Sequence, residues 1–411
     1  MIKSATCTAV FLAVSLPMAI SGASFAGDSA GDWELEFSLT TGNNTFSVDI
    51  SGSQAIVGQR GAAVGGGVSI VYQQDPDGSW DEGTVLPIPS GVINYGESVA
   101  IDGDIAVVGA SPGGSRRVVI HERSPQGVWG EPFLLSGPGN SFGEALDIEG
   151  GTLVVGAPAA NNSNAYVFIQ GEDGEWILSQ TLQGCSGLFG TSIDLSGDSL
   201  LIGGPSGSGC ASLFARSVSG DWVLENVFTN SSVFGLGGAV GVDGDTVVVG
   251  GSTAQRAVVW ERDGAGWSEG TLLPGGGPQF STSVAIEGDQ ILVGQPIQGG
   301  SVVSYERGTE GTWALKETLP GFGSQPGHSL AISNDQAIVG GRGAFGIYSQ
   351  SNCPGEKCIA DLNCDGVVNG SDLTIMLNNW GLIDTPANIS GEGPVNGSDL
   401  TILLSQWGLC P

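Results

Sequence analysis

Ser98-Val99-Ala100-Ile101-Asp102-Gly103-Asp104-Ile105-Ala106-Val107-Val108-Gly109 is a pair of short apolar and β-branched runs joined at Asp102-Gly103. Asp-Gly suits the positive backbone angles of a tight hairpin turn, so the stretch predicts two antiparallel strands. The turn is echoed by Asp243-Gly244, Glu287-Gly288 and Ser196-Gly197, and turn chemistry accounts for these acids without a metal. Aligned on the rest of the chain, the pattern ends at Gly58, Gly109, Gly156, Gly203, Gly250, Gly294 and Gly340, recurring every 44 to 51 residues. A second marker runs beside it, a tryptophan at 33, 80, 129, 176, 222, 267 and 313. Seven of each marker mean seven structural repeats.

Within one repeat, residues 98–101, 104–109, 117–122 and 128–135 are apolar or β-branched runs separated by turn signals. Four short strands in such a unit make one blade of a β-propeller. The two markers are out of phase: the chain opens with the Trp strand Trp33 to Leu39, and its last repeat stops after Tyr348 without one. The N-terminal strand is therefore expected to complete the seventh blade and remove the exposed edges of the ring.

Composition agrees, with 71 glycines among 411 residues. A formal charge of −30 argues against nucleic acid or an anionic membrane as partner. Residues 1–26 read as a signal peptide: Lys3, an apolar core from Val10 to Ile20, and Ser24-Phe25-Ala26 as a small-x-small cleavage site. No other stretch has the ~20 apolar residues of a membrane span. The product is expected to be secreted, extracellular or attached at a cell surface. Six cysteines then remain, Cys185, Cys210, Cys353, Cys358, Cys364 and Cys410, an even number that permits disulfides in an oxidising compartment. Cys185 and Cys210 fall on one face of blade four and are expected to be bonded.

Tyr95-Gly96, Phe142-Gly143 and Phe189-Gly190, followed by Gly109-Ala110-Ser111-Pro112, Gly156-Ala157-Pro158 and Gly203-Gly204-Pro205, resemble FG-GAP repeats, the blades of integrin α-subunit propellers and many bacterial exported proteins. The resemblance spans about residues 32–350 and implies a propeller over 27–350. Integrin blades often carry an Asp/Asn-rich calcium loop between the second and third strands. Here that place holds Ser111 to Arg117, Ala159 to Asn164 or Ser206 to Cys210, without the carboxylates calcium requires. No propeller calcium is expected.

Residues 351–411 are a different module, in which Val368-Asn369-Gly370-Ser371-Asp372-Leu373-Thr374-Ile375 recurs as Val395-Asn396-Gly397-Ser398-Asp399-Leu400-Thr401-Ile402. Asp361, Asn363, Asp365, Val367, Asn369 and Asp372 occupy positions 1, 3, 5, 7, 9 and 12 of an EF-hand-type loop, with Gly366 at the sharp turn. In the second copy the places fall to Asn388, Ser390, Glu392, Pro394, Asn396 and Asp399. With fewer carboxylates it is expected to be a weak or empty calcium site beside one tight one. Behind the loops, Leu373, Met376, Leu377 and Trp380, and Leu400, Leu403, Leu404 and Trp407, form apolar helical stripes expected to pack on one another. Loop plus exit helix, twice, resembles a type I dockerin. That family docks enzymes and binding proteins onto cohesin domains, mostly in polysaccharide degradation. The resemblance implies partner docking through Gly370-Ser371 and Gly397-Ser398; the basic pair that often follows is replaced by Leu377-Asn378 and Leu404-Ser405. Cys410 is expected to pair with Cys353 or Cys358, four cysteines allowing three connectivities.

Strand order places Arg60, Arg116, Arg117, Arg256 and Arg342 in upper loops, opposed there by Glu97 and Glu144, while the lower hairpins carry acids such as Asp75, Asp77, Asp104, Asp173, Asp221, Asp245, Asp263 and Asp289. A locally positive face would gather an anionic ligand. Catalytic chemistry has little to draw on. His121 sits mid-strand, His328 lies close to the start of an innermost strand, and Glu97 and Glu144, from adjacent blades, are the candidate carboxylate pair. The sequence therefore favours a non-catalytic binding or scaffold protein whose propeller takes a glycan or protein ligand, an acidic polysaccharide being the candidate. A polysaccharide lyase or glycoside hydrolase is the alternative, and a purely structural or adhesive role a third.

Overall fold

In the computed structural model the described residues are 33–409, apart from 64–65, 76–77, 111–116, 138–140, 160–162, 186, 252–255, 265, 298, 309, 320, 351–359, 361, 363–366, 382–386, 388 and 391–393. Residues 1–26, expected to be a signal peptide, and four of the cysteines, Cys353, Cys358, Cys364 and Cys410, lie outside them. Nearly all regular structure is antiparallel β, with two short helices near the C-terminus, α1 (Gly370–Asn378) and α2 (Gly397–Ser405).

Seven blades form the body. In blade two, Val99–Asp102 pairs with Ile105–Ala110, that with Arg117–Glu122, and that with Phe133–Leu135. The hairpin between the first two strands turns on Gly103 at φ 53°, and Gly197, Gly244 and Gly288 repeat it at 57°, 52° and 54°. A β-carbon is disfavoured at such angles, which is why the echo in the sequence keeps its glycine. One backbone hydrogen bond recurs in every blade, from the end of strand three to the first hairpin. Gln74, Arg123, Gln170, Arg216, Arg262, Arg307 and Gln350 donate N–H to the carbonyls of Ser53, Asp104, Gly151, Asp198, Asp245, Asp289 and Asp335 at 2.7–2.9 Å.

The seventh blade is built from both ends of the propeller. Ser329–Ser333 pairs with Gln336–Gly340, and Ala344–Gln350 pairs with Trp33–Thr40. The first strand then runs on, so that Thr45–Ser51 becomes the innermost strand of blade one. The expected closure is thus present, and one six-stranded sheet joins blades seven and one.

Seven apolar clusters fill the seven junctions between neighbouring blades. Tyr95, Phe142, Phe189 and Phe280, from the loops that enter the blades, are at most 1% exposed and plug these junctions from above. Blade two departs from the expected fourth strand over 128–135. Trp129 makes only an isolated bridge to Arg123, and pairing resumes at Phe133. Pro132, which has no N–H to donate, interrupts the strand.

Cys185 and Cys210 are bonded, with Cα atoms 6.3 Å apart across 25 residues of chain. In the C-terminal region Val368, Met376, Val395 and Leu403 share a small core with Leu362, Leu373, Ile389 and Leu400. The two apolar stripes pack only in part, because Leu377, Trp380, Leu404 and Trp407 stay 46–53% exposed. Residues spaced i, i+3, i+4 and i+7 cover a wider arc than the contact between two nine-residue helices can hide.

Trp33 is buried between blades six and seven, its indole N–H on Ser304 Oγ at 3.2 Å and its backbone N–H on Glu317 Oε1 at 2.8 Å. Trp33→Ala is expected to cost about 3–5 kcal/mol in equilibrium denaturation. Cys185→Ser, which opens the disulfide loop, is expected to cost about 3 kcal/mol. A change below about 1 kcal/mol in either variant would contradict these roles.

Candidate functional site

The inner strands of all seven blades surround a central channel. Its upper part, a cavity of about 350 Å³, is ringed at the mouth by Glu97, Glu144, Thr191, Gly238, Thr282 and His328. The repeating glycines position this mouth. A Cβ on Gly156, Gly203 or Gly294 would overlap the carbonyl oxygen of Gly190, Gly237 or Gly327 in the next blade. The hydroxyls of Ser98, Ser192 and Ser283 donate to the same class of carbonyl, on Gly143, Gly237 and Gly327, at 2.7–2.9 Å. Blades therefore meet backbone to backbone at the upper face.

The structure spreads the predicted arginines around this face. Arg60 pairs with Glu97 at 3.2 Å. Arg117 donates to Ser136 Oγ at 2.6 Å. Arg256 and Arg342 are exposed, and Arg116 lies outside the described residues. Among the described residues, Arg117, Arg256 and Arg342 make no ion pair with a carboxylate.

The other arginines behave differently. At the lower ends of their blades Arg123, Arg216, Arg262 and Arg307 reach back to Asp104, Asp198, Asp245 and Asp289 at 2.7–3.8 Å. Arg262 and Arg307 also reach Glu225 and Glu261 of the preceding blade at 2.8 and 2.9 Å. Arg123, Arg216 and Arg262 lie over Trp129, Trp222 and Trp267. Exposed pairs of this kind contribute little stability each, but they balance the lower hairpin acids locally.

Sequence reasoning overlooked the carboxylates inside the channel. Asp49 accepts the N–H groups of Ile50 and, from the next blade, Ile101, at 2.9 and 2.8 Å. Asp147 accepts from Ile148 and the next blade's Leu195 at 2.8 and 2.6 Å. Asp194 accepts from Val242 of the next blade at 2.6 Å. Below them Asp102, Glu149, Asp243 and Glu287 take N–H groups of Gly150, Gly197, Gly288 and Asn334 at 2.6–2.9 Å. Asp102, Asp243 and Glu287 read from the sequence as turn acids only, and each also ties its blade to the next. Burial, then proximity to Asp147, pushes the Asp49 carboxyl up to about 8. Burial also raises Asp147 and Asp194, neighbouring acids adding to the shift.

His121 is fully buried, and its Nε2 lies 2.5 Å from the Tyr95 hydroxyl. Burial lowers its pKa to about 4, so the ring is neutral at pH 7 and packed within the blade. Among the described residues no three His, Cys, Asp or Glu side chains are grouped to hold a metal.

The C-terminal loops are described in part. Asp361, Asn363, Asp365, Asn388 and Glu392 lie outside the described residues. Val367 pairs with Leu409. The Asp372 carboxylate accepts N–H from Leu362 and Asn369 at 2.7 and 2.8 Å, and Asp399 accepts from Ser390 and Asn396, both at 2.8 Å. The two copies thus share one geometry. Desolvation raises the Asp399 pKa, but the Ser390 and Asn396 N–H groups outweigh it and leave the carboxyl below its usual value. Pro394, Gly370, Gly397 and Ser398 are exposed, and Ser371 lies in α1.

No helix among the described residues is long and apolar enough to cross a membrane. No protein-family model matches the chain, and no curated protein matches it. Solved structures do match. One is the WD40 β-propeller domain of Doa1, at 16% identity and a TM-score of 0.56, over 77% of this chain and 97% of that one. Another is a chain of a mitotic checkpoint complex, at 15% identity and a TM-score of 0.57, over 81% of this chain and 98% of that one. At these identities the likeness is one of fold, and the chain is a seven-bladed β-propeller of WD40-like shape.

Proposed function

We propose that the chain is an exported, non-catalytic binding scaffold whose upper propeller face takes an acidic polysaccharide. The observation that carries this reading is the division of the arginines. Those at the lower ends are occupied by hairpin acids, whereas Arg256 in a loop, Arg117 at the start of its strand and Arg342 within the strand Gln336–Gln350, not in a loop as expected, have no described carboxylate partner. Planar guanidinium groups suit carboxylate or sulfate, and a positive face on a strongly acidic molecule focuses its field on an anion. A propeller fold suits binding, the matched chain of a mitotic checkpoint complex belongs to an assembly of proteins, and a protein ligand is the other class to screen.

The repeats are read as FG-GAP blades, and residues 351–411 as a dockerin-like module that holds calcium in its first loop. Support for the module comes from the matched Asp372 and Asp399 geometry and from the exposed, duplicated pairs Leu377/Trp380 and Leu404/Trp407. A cohesin-like domain would dock on Gly370-Ser371 or Gly397-Ser398 beside them.

Changing Arg116, Arg117, Arg256 and Arg342 together to Ser is expected to abolish salt-sensitive binding to an acidic polysaccharide; unchanged affinity would refute the proposed face. Release of reducing ends or unsaturated sugars by the wild-type chain would assign the enzymatic alternative instead. Calcium calorimetry is expected to give one tight site, lost in Asp361→Ala, and two equal sites would contradict the loop assignment.

A further inference from the structure

We propose that the outer cleft between blades two and three is a docking site for an arginine side chain of a protein partner, whose guanidinium takes the place of one that other blades supply from their own chain. The proposal is independent of which ligand the upper face binds.

The joints between blades four and five and between blades five and six show the complete arrangement. At the first, Glu225 accepts the indole N–H of Trp267 at 3.1 Å and pairs with Arg262 at 2.8 Å. At the second, Glu261 accepts the indole N–H of Trp313 at 3.2 Å and pairs with Arg307 at 2.9 Å. A carboxylate of one blade thus holds a tryptophan and an arginine of the next. In blades four and five the arginine also lies over its own blade's tryptophan, 4.8 and 4.7 Å from the ring centre.

The joint between blades two and three lacks the cation. Gln170 occupies in blade three the place of Arg216, Arg262 and Arg307, each of which donates its backbone N–H to the first hairpin of its blade. Its side-chain amide reaches Glu122 Oε1 of blade two at 2.9 Å, so the carboxylate that should meet a guanidinium meets a neutral group. Pro132 stands three residues after Trp129, where blade four has Glu225 three residues after Trp222. The indole N–H of Trp176 is therefore left without a hydrogen-bond partner, and no described arginine or lysine lies over its ring.

A cavity of about 780 Å³ opens at this joint, with Trp176 in its wall. Trp80, the other tryptophan whose buried indole N–H is unpaired among the described residues, is not part of it. The wall carries the carboxylates of Glu122, Glu131, Asp173 and Glu175 against one cation, Arg123, which Asp104 engages at 2.7 Å. Among the described residues none of the four acids pairs with a lysine or arginine. Phe133, 53% exposed, adds an apolar surface. Acids beside two aromatic rings suit a side chain with an apolar stem and a planar cationic head. Arginine forks onto carboxylate and stacks on an aromatic face, whereas the lysine ammonium is a strongly hydrated point charge. An anionic ligand is repelled by the same acids.

The test uses the full chain and two peptides, acetyl-Ala-Arg-Ala-amide and its lysine counterpart, at about 0.15 M salt so that the overall negative charge is screened. Affinity is read by NMR from the indole N–H resonance of Trp176, assigned through Trp176→Phe. The arginine peptide is expected to move this resonance and to bind about fivefold or more tightly than the lysine peptide. Gln170→Arg supplies the missing guanidinium from within the chain, and is expected to weaken the arginine peptide about tenfold while keeping the wild-type Tm. Glu122→Gln, at an exposed position, is expected to weaken it about fivefold and decides the matter should Gln170→Arg fail to fold. No binding of the arginine peptide, equal affinity for the two peptides, or an affinity that Glu122→Gln leaves unchanged overturns the proposal. Binding of a neutral oligosaccharide that Gln170→Arg abolishes, with no binding of the arginine peptide, would reassign the cavity to a sugar and overturn it as well.

Discussion

The pairing of Trp33–Thr40 with Ala344–Gln350 is the contact on which the other six blades rely. Each junction buries its apolar cluster only if blades stand on both sides, so an open ring would leave two faces of Val, Ile and aromatic side chains in water. The closure is non-local and entropically costly to reach, since strands from the two ends of the propeller must meet. Once made, it removes the free edges and lets seven weakly curved sheets behave as one unit. Trp33 seals that last joint on one side, and Phe37 seals it on the other by packing with Tyr72 and Phe345.

Closure also explains where glycine and acid residues stand. Blades approach one another most closely above the channel, where glycine faces a neighbour's carbonyl, and inside it, where carboxyls bridge to a neighbour's N–H. The first is a steric demand that no side chain meets. The second satisfies backbone donors of the neighbouring blade, and it lines the channel with acid. The lower-end arginines then balance the remaining hairpin acids one blade at a time, leaving the upper loops with a different electrostatic character.

The periodic features were legible in the sequence. Gly109 and its six counterparts, with Trp33 and its six, gave blade number, strand order and closure, because steric and packing demands repeat once per blade. Asp102 was legible only as a turn residue, since its bond to Gly150 lies in the next repeat. Asp49, Asp147 and Asp194 carry no local signal, as an acid within an apolar strand acquires its partner only when the ring forms. Arg123 and its equivalents were missed for a related reason: the acid Arg123 meets is 19 residues away, in the hairpin between the first two strands of blade two. The helical stripes in α1 and α2 were over-read, because periodicity marks an apolar face without saying how much of it a neighbour covers.

A closed ring held by its first strand joins these observations into one account, with ligand binding proposed on the face where blades meet most tightly. Amide hydrogen exchange of residues 33–40, followed by mass spectrometry, tests it most directly. The account predicts protection of this strand equal to that of the inner strands of blades three and four, with exchange only through global unfolding. Exchange of residues 33–40 at rates typical of a frayed terminus, while the other blades stay protected, would contradict it.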